Sequence, residues 1–331
     1  MKPVDAVLAV TYRCNARCAM CGIWKAAPVP EIAPDVYRKL PSSLRDINLT
    51  GGEPFLRDDL VEIHAAAREA CPQAQTILST NGLLTERIVS SVKEMRRVEP
   101  NVGVAVSIDG PAETHDAIRG VRGAFDKATR TLRALLEIGA TNLRVAYTAT
   151  VQSVAHAQYV YDLAHEYGVE FTCAMEHHSE HYFHSASGET DLSGKAVARD
   201  FAPIMREELR TLSPKRWGRA YFMHGLCALG AGRGRLLPCR AGRDFFFMDP
   251  SGNVFTCNAA PLRMGNLAER SFEALWESAE AEEARARADR CDAPCWMVCT
   301  ARTAIKRAWP RALAWALWHR LVGLDEDREA R

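Results

Sequence analysis

Short apolar runs alternate with amphipathic stretches along the first half of the chain. Runs at Val7–Val10, Ile47–Leu49, Thr76–Leu78, Val102–Ile108, Leu143–Thr150 and Val169–Thr172 are too brief for buried helices and read as strands. Helix-like periodicity follows each of them. The clearest cases are "DDLVEIHAAAREA" (58–70) and "AFDKATRTLRALLEIG" (124–139), the second closed by Gly139 as a C-cap. Six β–α repeats predict an α/β fold with a parallel sheet and right-handed crossovers. In such a sheet the loops at the carboxyl ends of the strands converge on one mouth. "CNARCAMC", "TGGEP", "STNG" and "SIDG" follow the first four predicted strands and fall at that mouth.

Length and composition narrow this picture. A barrel of about 200 to 250 residues leaves room in 331 residues for one smaller module. A hydrophobic share of 47% and a charged share of 25% belong to a globular protein with a sizeable core. A formal charge of +1 gives no reason to expect nucleic acid as a partner. No apolar stretch reaches membrane-spanning length, and the run at Val7–Val10 is too short for a signal peptide. The expected location is the cytoplasm.

Eleven cysteines then need explaining, since disulfides are disfavoured in a reducing compartment. Cys14, Cys18 and Cys21 form one group, and Cys239, Cys257, Cys291, Cys295 and Cys299 a second. Three thiolates on a short loop suit three corners of a [4Fe–4S] cube and leave the fourth iron open. A structural zinc site would need a fourth ligand close to Cys21, and none stands there. Cys71, Cys173 and Cys227 stand apart, as buried thiols commonly do.

The spacing C-x3-C-x2-C followed by "GGEP" at 51–54 resembles the radical SAM superfamily. The resemblance implies a partial (β/α)6 TIM-like barrel. It also implies a [4Fe–4S] cluster on Cys14, Cys18 and Cys21, with S-adenosylmethionine chelating the open iron. Gly51, Gly52 and Glu53 would receive the methionyl ammonium, where glycine permits close approach and a carboxylate complements a cation. "SIDGPAETHDAIRG" (107–120) is similar to members of the same superfamily. It would bring Ser107 and Arg119 to the cofactor's carboxylate or ribose, with Asp109 and Asn81 nearby. Reductive cleavage of the sulfonium to a 5′-deoxyadenosyl radical and hydrogen abstraction from substrate are the implied chemistry.

Towards the C-terminus, "DPSGNV" inside "CRAGRDFFFMDPSGNVFTC" predicts a hairpin that brings Cys239 and Cys257 together. "CDAPCWMVC" adds Cys291, Cys295 and Cys299, whose spacing of four would align them if helical. With "MGNL" and "SFEALW", this part resembles the SPASM or shorter twitch extension, which carries auxiliary [4Fe–4S] clusters. Six cysteines from Cys227 onward are fewer than a two-cluster extension supplies, so one auxiliary cluster is expected. A zinc ribbon remains the alternative, since thiolates serve both metals. The implied organisation is 1–195 radical SAM partial barrel, 196–235 helical linker, 236–305 small iron–sulfur domain and 306–331 amphipathic tail.

"CAMEHHSEHYFH" (173–184) follows the sixth strand. Glu176, His177, His178 and Glu180 are candidates to take a proton as the substrate is oxidised. A solvated loop is the plainer reading. Dehydrogenation of a small molecule is the expected reaction. The alternatives are a ribosomal peptide maturase, an epimerase in which Cys173 returns a hydrogen atom, and a non-catalytic electron carrier. With the first strand starting by Val7, no recognition domain is expected before the barrel. An external donor such as flavodoxin or ferredoxin is implied. The tail, interrupted by Pro310, should form two short helices packed on the barrel, with a membrane surface as the alternative.

Overall fold

The structure is a computed structural model and describes residues 2–177, 179, 181–185 and 192–324. Strands β1 (Asp5–Thr11), β2 (Asp46–Gly51), β3 (Gln75–Thr80), β4 (Gly103–Ser107), β5 (Leu143–Ala149) and β6 (Glu170–Met175) coincide with the six apolar runs. They pair in parallel, each with its sequence neighbour. Helices α1 (Leu60–Ala70), α2 (Thr85–Val98), α3 (Ala112–Arg119), α4 (Ala124–Glu137) and α5 (Ala157–Glu166) supply the crossovers. After α4, Gly139 takes φ +72° and donates to Leu136 O at 2.8 Å, while Ala140 donates to Leu135 O. This closes the helix as its sequence predicts. One expectation fails: β1 is followed by two 3-10 turns, at Ile23–Lys25 and Pro34–Lys39, and not by an α-helix. Prolines at 28, 30 and 34 interrupt helical backbone hydrogen bonding there.

Along β5 and β6, burial alternates residue by residue. Leu143, Val145, Tyr147, Phe171, Cys173 and Met175 turn to the helix layer and join the main core. Arg144, Ala146, Thr148, Glu170, Thr172 and Ala174 turn inward, and Asn48, Thr50 and Ser79 share that inner face. A closed α/β barrel fills its interior with branched aliphatics. Here the inner face is mostly small and polar, so the barrel encloses a cavity.

The sheet does not stop at the barrel. After α6 (Gly194–Arg210) and α7 (Pro214–Gly230), β7 (Phe245–Met248) pairs in parallel with β1. Strands β8 (Asn253–Phe255) and β9 (Arg263–Asn266) continue antiparallel, giving the order β6-β5-β4-β3-β2-β1-β7-β8-β9. The β7–β8 turn is the predicted hairpin. Asp249 Oδ1 accepts from Ser251 N and Asn253 N at 2.9 Å, and Gly252 takes φ +83°. Then come α8 (Phe272–Trp276), α9 (Ala279–Ala288), α10 (Val298–Arg307) and α11 (Trp309–Val322). Pro310 lies in the first turn of α11, where its missing N–H costs nothing. Helix α11 packs on α7 through Ala312 and Ala316, while Leu317, Trp318, Leu321 and Val322 remain exposed.

Candidate active site

The loop after β1 carries Cys14, Cys18 and Cys21 and is held by backbone hydrogen bonds from two directions. Arg17 N donates to Arg119 O (2.9 Å) and Ala19 N to Ile118 O (2.8 Å), fixing the loop to the end of α3. Gly22 N donates to Phe183 O (2.7 Å), fixing it to the segment after β6. All three thiols line a cavity of about 260 Å³ together with Gly51, Gly52, Asn81, Ser107 and Arg119. Burial pushes the Cys14 and Cys21 thiols up to about 11. Among the described residues no three His, Cys, Asp or Glu side chains converge on a single ion. A cluster in which each thiolate takes its own iron does not need such convergence.

Gly51 has φ +131°, and a Cβ on it would stand 2.0 Å from Thr11 O. One on Gly52 would stand 2.2 Å from Arg13 O. Glycine is therefore required by the close approach of β2's end to the cysteine loop. Gly52 N and Glu53 N complete that contact with Thr11 O and Arg13 O, both at 2.8 Å. Glu53 itself is absent from the cavity wall. Its buried carboxylate accepts from Asn81 N (2.8 Å), Thr80 Oγ1 (2.8 Å) and Phe55 N (3.3 Å). Burial pushes that carboxyl up to about 7 despite those donors. Glu53 thus ties the end of β2 to the end of β3. Asn81 points its amide at the loop, donating to Asn15 Oδ1 at 2.7 Å.

Asp109 is also withdrawn from the cavity wall. It is fully buried and accepts from Arg119 Nε (2.7 Å) and Thr148 N (3.1 Å). Arg119 in turn directs Nη1 to Cys18 Sγ at 3.8 Å. Burial disfavours the guanidinium, but Asp109 and Cys18 more than offset this and hold it charged. His115, fully buried, accepts from Asp109 N at 3.0 Å. Its burial and the neighbouring Arg119 depress its basicity to about 4. Ser107 and Arg119 therefore reach the cavity, while Asp109 and His115 position Arg119 from behind.

A second cavity of about 350 Å³ occupies the barrel lumen and shares Met20, Cys21, Thr50, Ser79, Thr148 and Phe183 with the first. Glu176 and His177 border it. His178 and Glu180 lie outside the described residues. The neighbouring described part, Ser179 and His181–Phe183, is not a solvated loop. Ser179 Oγ donates to Asn258 O and Ala259 O (3.3 and 3.2 Å), and Tyr182 Oη donates to Gly51 O (3.2 Å). His181 packs against Phe255, and its burial depresses its basicity to about 4. With Phe183 O on Gly22 N, this segment straps the cysteine loop to the residues beside Cys257.

The C-terminal cysteines gather near the far end of that strap. Gly242 N donates to Thr256 O (3.0 Å), which brings together the segments that flank the hairpin and carry Cys239 and Cys257. Burial pushes the Cys257 thiol up to about 11, and Cys239 and Cys295 stand close enough to add to this. Arg235 Nη1 lies 3.3 Å from Cys295 Sγ, and Cys257 Sγ accepts from Ala260 N at 3.3 Å. Residues 291–297 are not helical, which corrects the helical alignment considered for Cys291, Cys295 and Cys299. Pro294 lacks the amide a helix would use there. Cys291 is exposed, Cys295 half-buried and Cys299, in the first turn of α10, buried. Cys299 also borders the lumen, as do Asn258, Arg144 and Arg302. None of the last three stood out in the sequence.

The profile of the Radical SAM superfamily matches residues 8–165, and that of SPASM, an iron–sulfur cluster-binding domain, matches 239–300. An AdoMet-dependent heme synthase of Methanosarcina barkeri is 28% identical over 82% of this chain and 81% of its own. The mycofactocin maturase MftC of Mycolicibacterium smegmatis is 29% identical over 84% of this chain and 71% of its own. Among solved structures, anSMEcpe with bound AdoMet superposes with a TM-score of 0.64 at 17% identity, covering 95% of this chain and 99% of that one. The triad on its loop, the six-stranded half-open barrel and the cysteine-bearing hairpin agree with both profiles. The chain belongs to the radical SAM superfamily and is an enzyme of that superfamily with a C-terminal SPASM iron–sulfur domain.

Proposed function

We propose that this enzyme dehydrogenates a small molecule held in the barrel lumen, with Cys14, Cys18 and Cys21 as the ligands of the catalytic cluster. When bound, that cluster and S-adenosylmethionine supply a 5′-deoxyadenosyl radical that abstracts a hydrogen atom. The observation that carries the reading is the continuity of the two cavities. A molecule in the lumen meets the triad's loop through Met20 and Cys21 at one side and Cys299 of the SPASM domain at another. Gly51 and Gly52 accept the methionyl group at the cavity wall, Ser107 and Arg119 take its carboxylate or ribose, and Asn81 braces the loop. Glu53 and Asp109 serve as positioning residues through Asn81 and Arg119. Glu176 or His177, bordering the lumen, takes the proton released as the substrate is oxidised.

Cys239, Cys257 and Cys295, with Cys299 or Cys291, hold one auxiliary [4Fe–4S] cluster that accepts the substrate's electron. Thiols alone make up this set, and soft donors suit iron–sulfur chemistry. Oxidation is preferred to epimerisation through Cys173: that residue borders the lumen, but it is almost fully buried in the main core cluster that also holds Tyr147 and Phe171, on the opposite strand face from Thr172 and Ala174. A flavodoxin or ferredoxin supplies the reducing electron. Maturation of a peptide is the second reading, supported by the likeness to a maturase.

Anaerobic reconstitution with iron, sulfide, dithionite and S-adenosylmethionine tests the reading. The wild-type chain is expected to release 5′-deoxyadenosine, and Cys18→Ala to release none. Release of S-adenosylhomocysteine instead would replace hydrogen abstraction by methyl transfer. Of Glu176→Gln and His177→Gln, at least one should keep cofactor cleavage and lose product. Unchanged product in both would remove them as bases.

A further inference from the structure

The floor of the lumen is built from the first residues of the strands. Asp5 opens β1, Asp46 opens β2, Glu170 opens β6, and Arg144 is second in β5. Arg302 and Lys306 of α10 and Lys215 and Arg219 of α7 complete the charged layer. Each acid there already has its cation. Asp5 Oδ2 accepts from Arg302 Nε and Nη2 at 3.0 and 2.6 Å. Asp46 accepts from Lys306 Nζ at 2.7 Å and lies 3.5 Å from Arg302 Nη1. Glu170 is paired with Lys215 and lies 3.7 Å from Arg219.

Arg144 is the remaining cation. It has no ion pair among the described residues. Its only hydrogen bond there runs from Nη2 to the neutral amide oxygen of Asn142, at 2.7 Å, and its buried Nε has no partner. Burial destabilises its charge on balance: Glu170 and Asp46 favour it from nearby, but both are paired with other cations, and Arg302 and Arg219 oppose it. Of the whole floor layer, only Arg144 and Arg302 border the cavity, so the surface presented upward is cationic. A guanidinium at the floor of the lumen with an unused buried donor calls for an oxyanion. Arg144 is the cation of this layer that lacks an acid partner among the described residues, and the planar carboxylate group matches the fork of its guanidinium donors.

We infer that the substrate of this site carries a carboxylate, which Arg144 binds at the lumen floor while the carbon that reacts lies at the rim. The inference rests on the lumen being the substrate site. Arg144 and Thr148 stand four residues apart on β5, about 13 Å along the strand. Thr148 belongs to both cavities, so a chain-like acid fixed at the floor extends towards the cysteine loop. Arg144 therefore sets which molecules are oriented for reaction.

Ligand-observed NMR titration of the cluster-reconstituted full-length chain tests this without relying on turnover. The probes are butyrate, 1-butanol, n-butylamine and inorganic phosphate at matched ionic strength. Butyrate should bind saturably and most tightly. Arg144→Gln should weaken it by about tenfold or more, the loss expected for a charge-assisted hydrogen bond. Arg144→Lys should fall between, keeping the charge but not the planar fork. Asn142→Asp keeps Arg144 and the side-chain shape while supplying an internal carboxylate. It too should suppress butyrate binding, which guards against a misfolded Arg144 variant. Butyrate binding that survives both Arg144→Gln and Asn142→Asp would overturn the inference, as would equal binding of butanol or tighter binding of phosphate. Failure of radical chemistry, by contrast, would show as missing 5′-deoxyadenosine with anion binding intact.

Discussion

His115 is buried as a neutral imidazole, its Nδ1 accepting from Asp109 N and its ring beside Arg119. Its folded-state basicity, depressed from 6.5 to about 4, means the unfolded chain binds the proton first as pH falls. Stability from this residue is thus present above pH 6.5 and lost on acidification towards pH 4, by on the order of 3 kcal/mol. Glu53 works in the opposite sense. Its carboxyl is raised from 4.5 to about 7, so its contribution is present at low pH and lost as pH rises through 7. Thermal melts of wild type and His115→Gln across pH 4 to 7 should show a shallower acid limb in the variant. Parallel curves would mean that His115 does not govern that limb. The proposed ligands Cys14, Cys18 and Cys21 were legible in the sequence because a loop that holds a cluster must keep its ligands close along the chain. Arg144 was not, since a single arginine inside "LRVAYTA" reads as an interruption of an apolar run until the strand's two faces are known.

Helix α7 and the segment bearing Cys295 meet at one tight contact. Trp296 is fully buried, donates from Nε1 to Phe222 O (2.9 Å) and stacks on Phe222. A Cβ on Gly225 would stand 2.2 Å from the Trp296 ring. Gly225→Ala should therefore destabilise the protein by about 1 to 3 kcal/mol through overpacking and, by displacing Trp296, reduce iron at the adjoining Cys295. Melting temperature and iron content measured on the same sample check both effects. Full iron with an unchanged melt would separate α7 from the auxiliary site. The strap after β6 carries a similar lesson. Its polar side chains suggest a solvated loop, yet Phe183 O, Ser179 Oγ and Tyr182 Oη tie it to the cysteine loop, Asn258 and Gly51. Backbone acceptors of this kind leave no trace in residue type.

For the molecule as a whole, the proposed assignment of the two cysteine groups predicts an iron count. One catalytic and one auxiliary cluster require about eight irons per chain. Cys239→Ala and Cys257→Ala should each reduce this to about four while leaving 5′-deoxyadenosine formation in place. Cys291→Ala, at an exposed thiol, is expected to retain the full count if Cys299 is the fourth ligand. Loss of iron in Cys291→Ala with full retention in Cys299→Ala would reverse that assignment.

The sequence by itself determined the six parallel strands, the cysteine triad, the hairpin and the superfamily. Strand periodicity, turn chemistry and ligand spacing are local properties written over a few residues. The tertiary structure decided the rest. It added β7 to the barrel's edge beside β1, withdrew Glu53 and Asp109 from the cavity wall, and brought Arg302 to the floor near Arg144. Those outcomes depend on pairings between residues far apart in the chain, and so on which face of each strand turns inward.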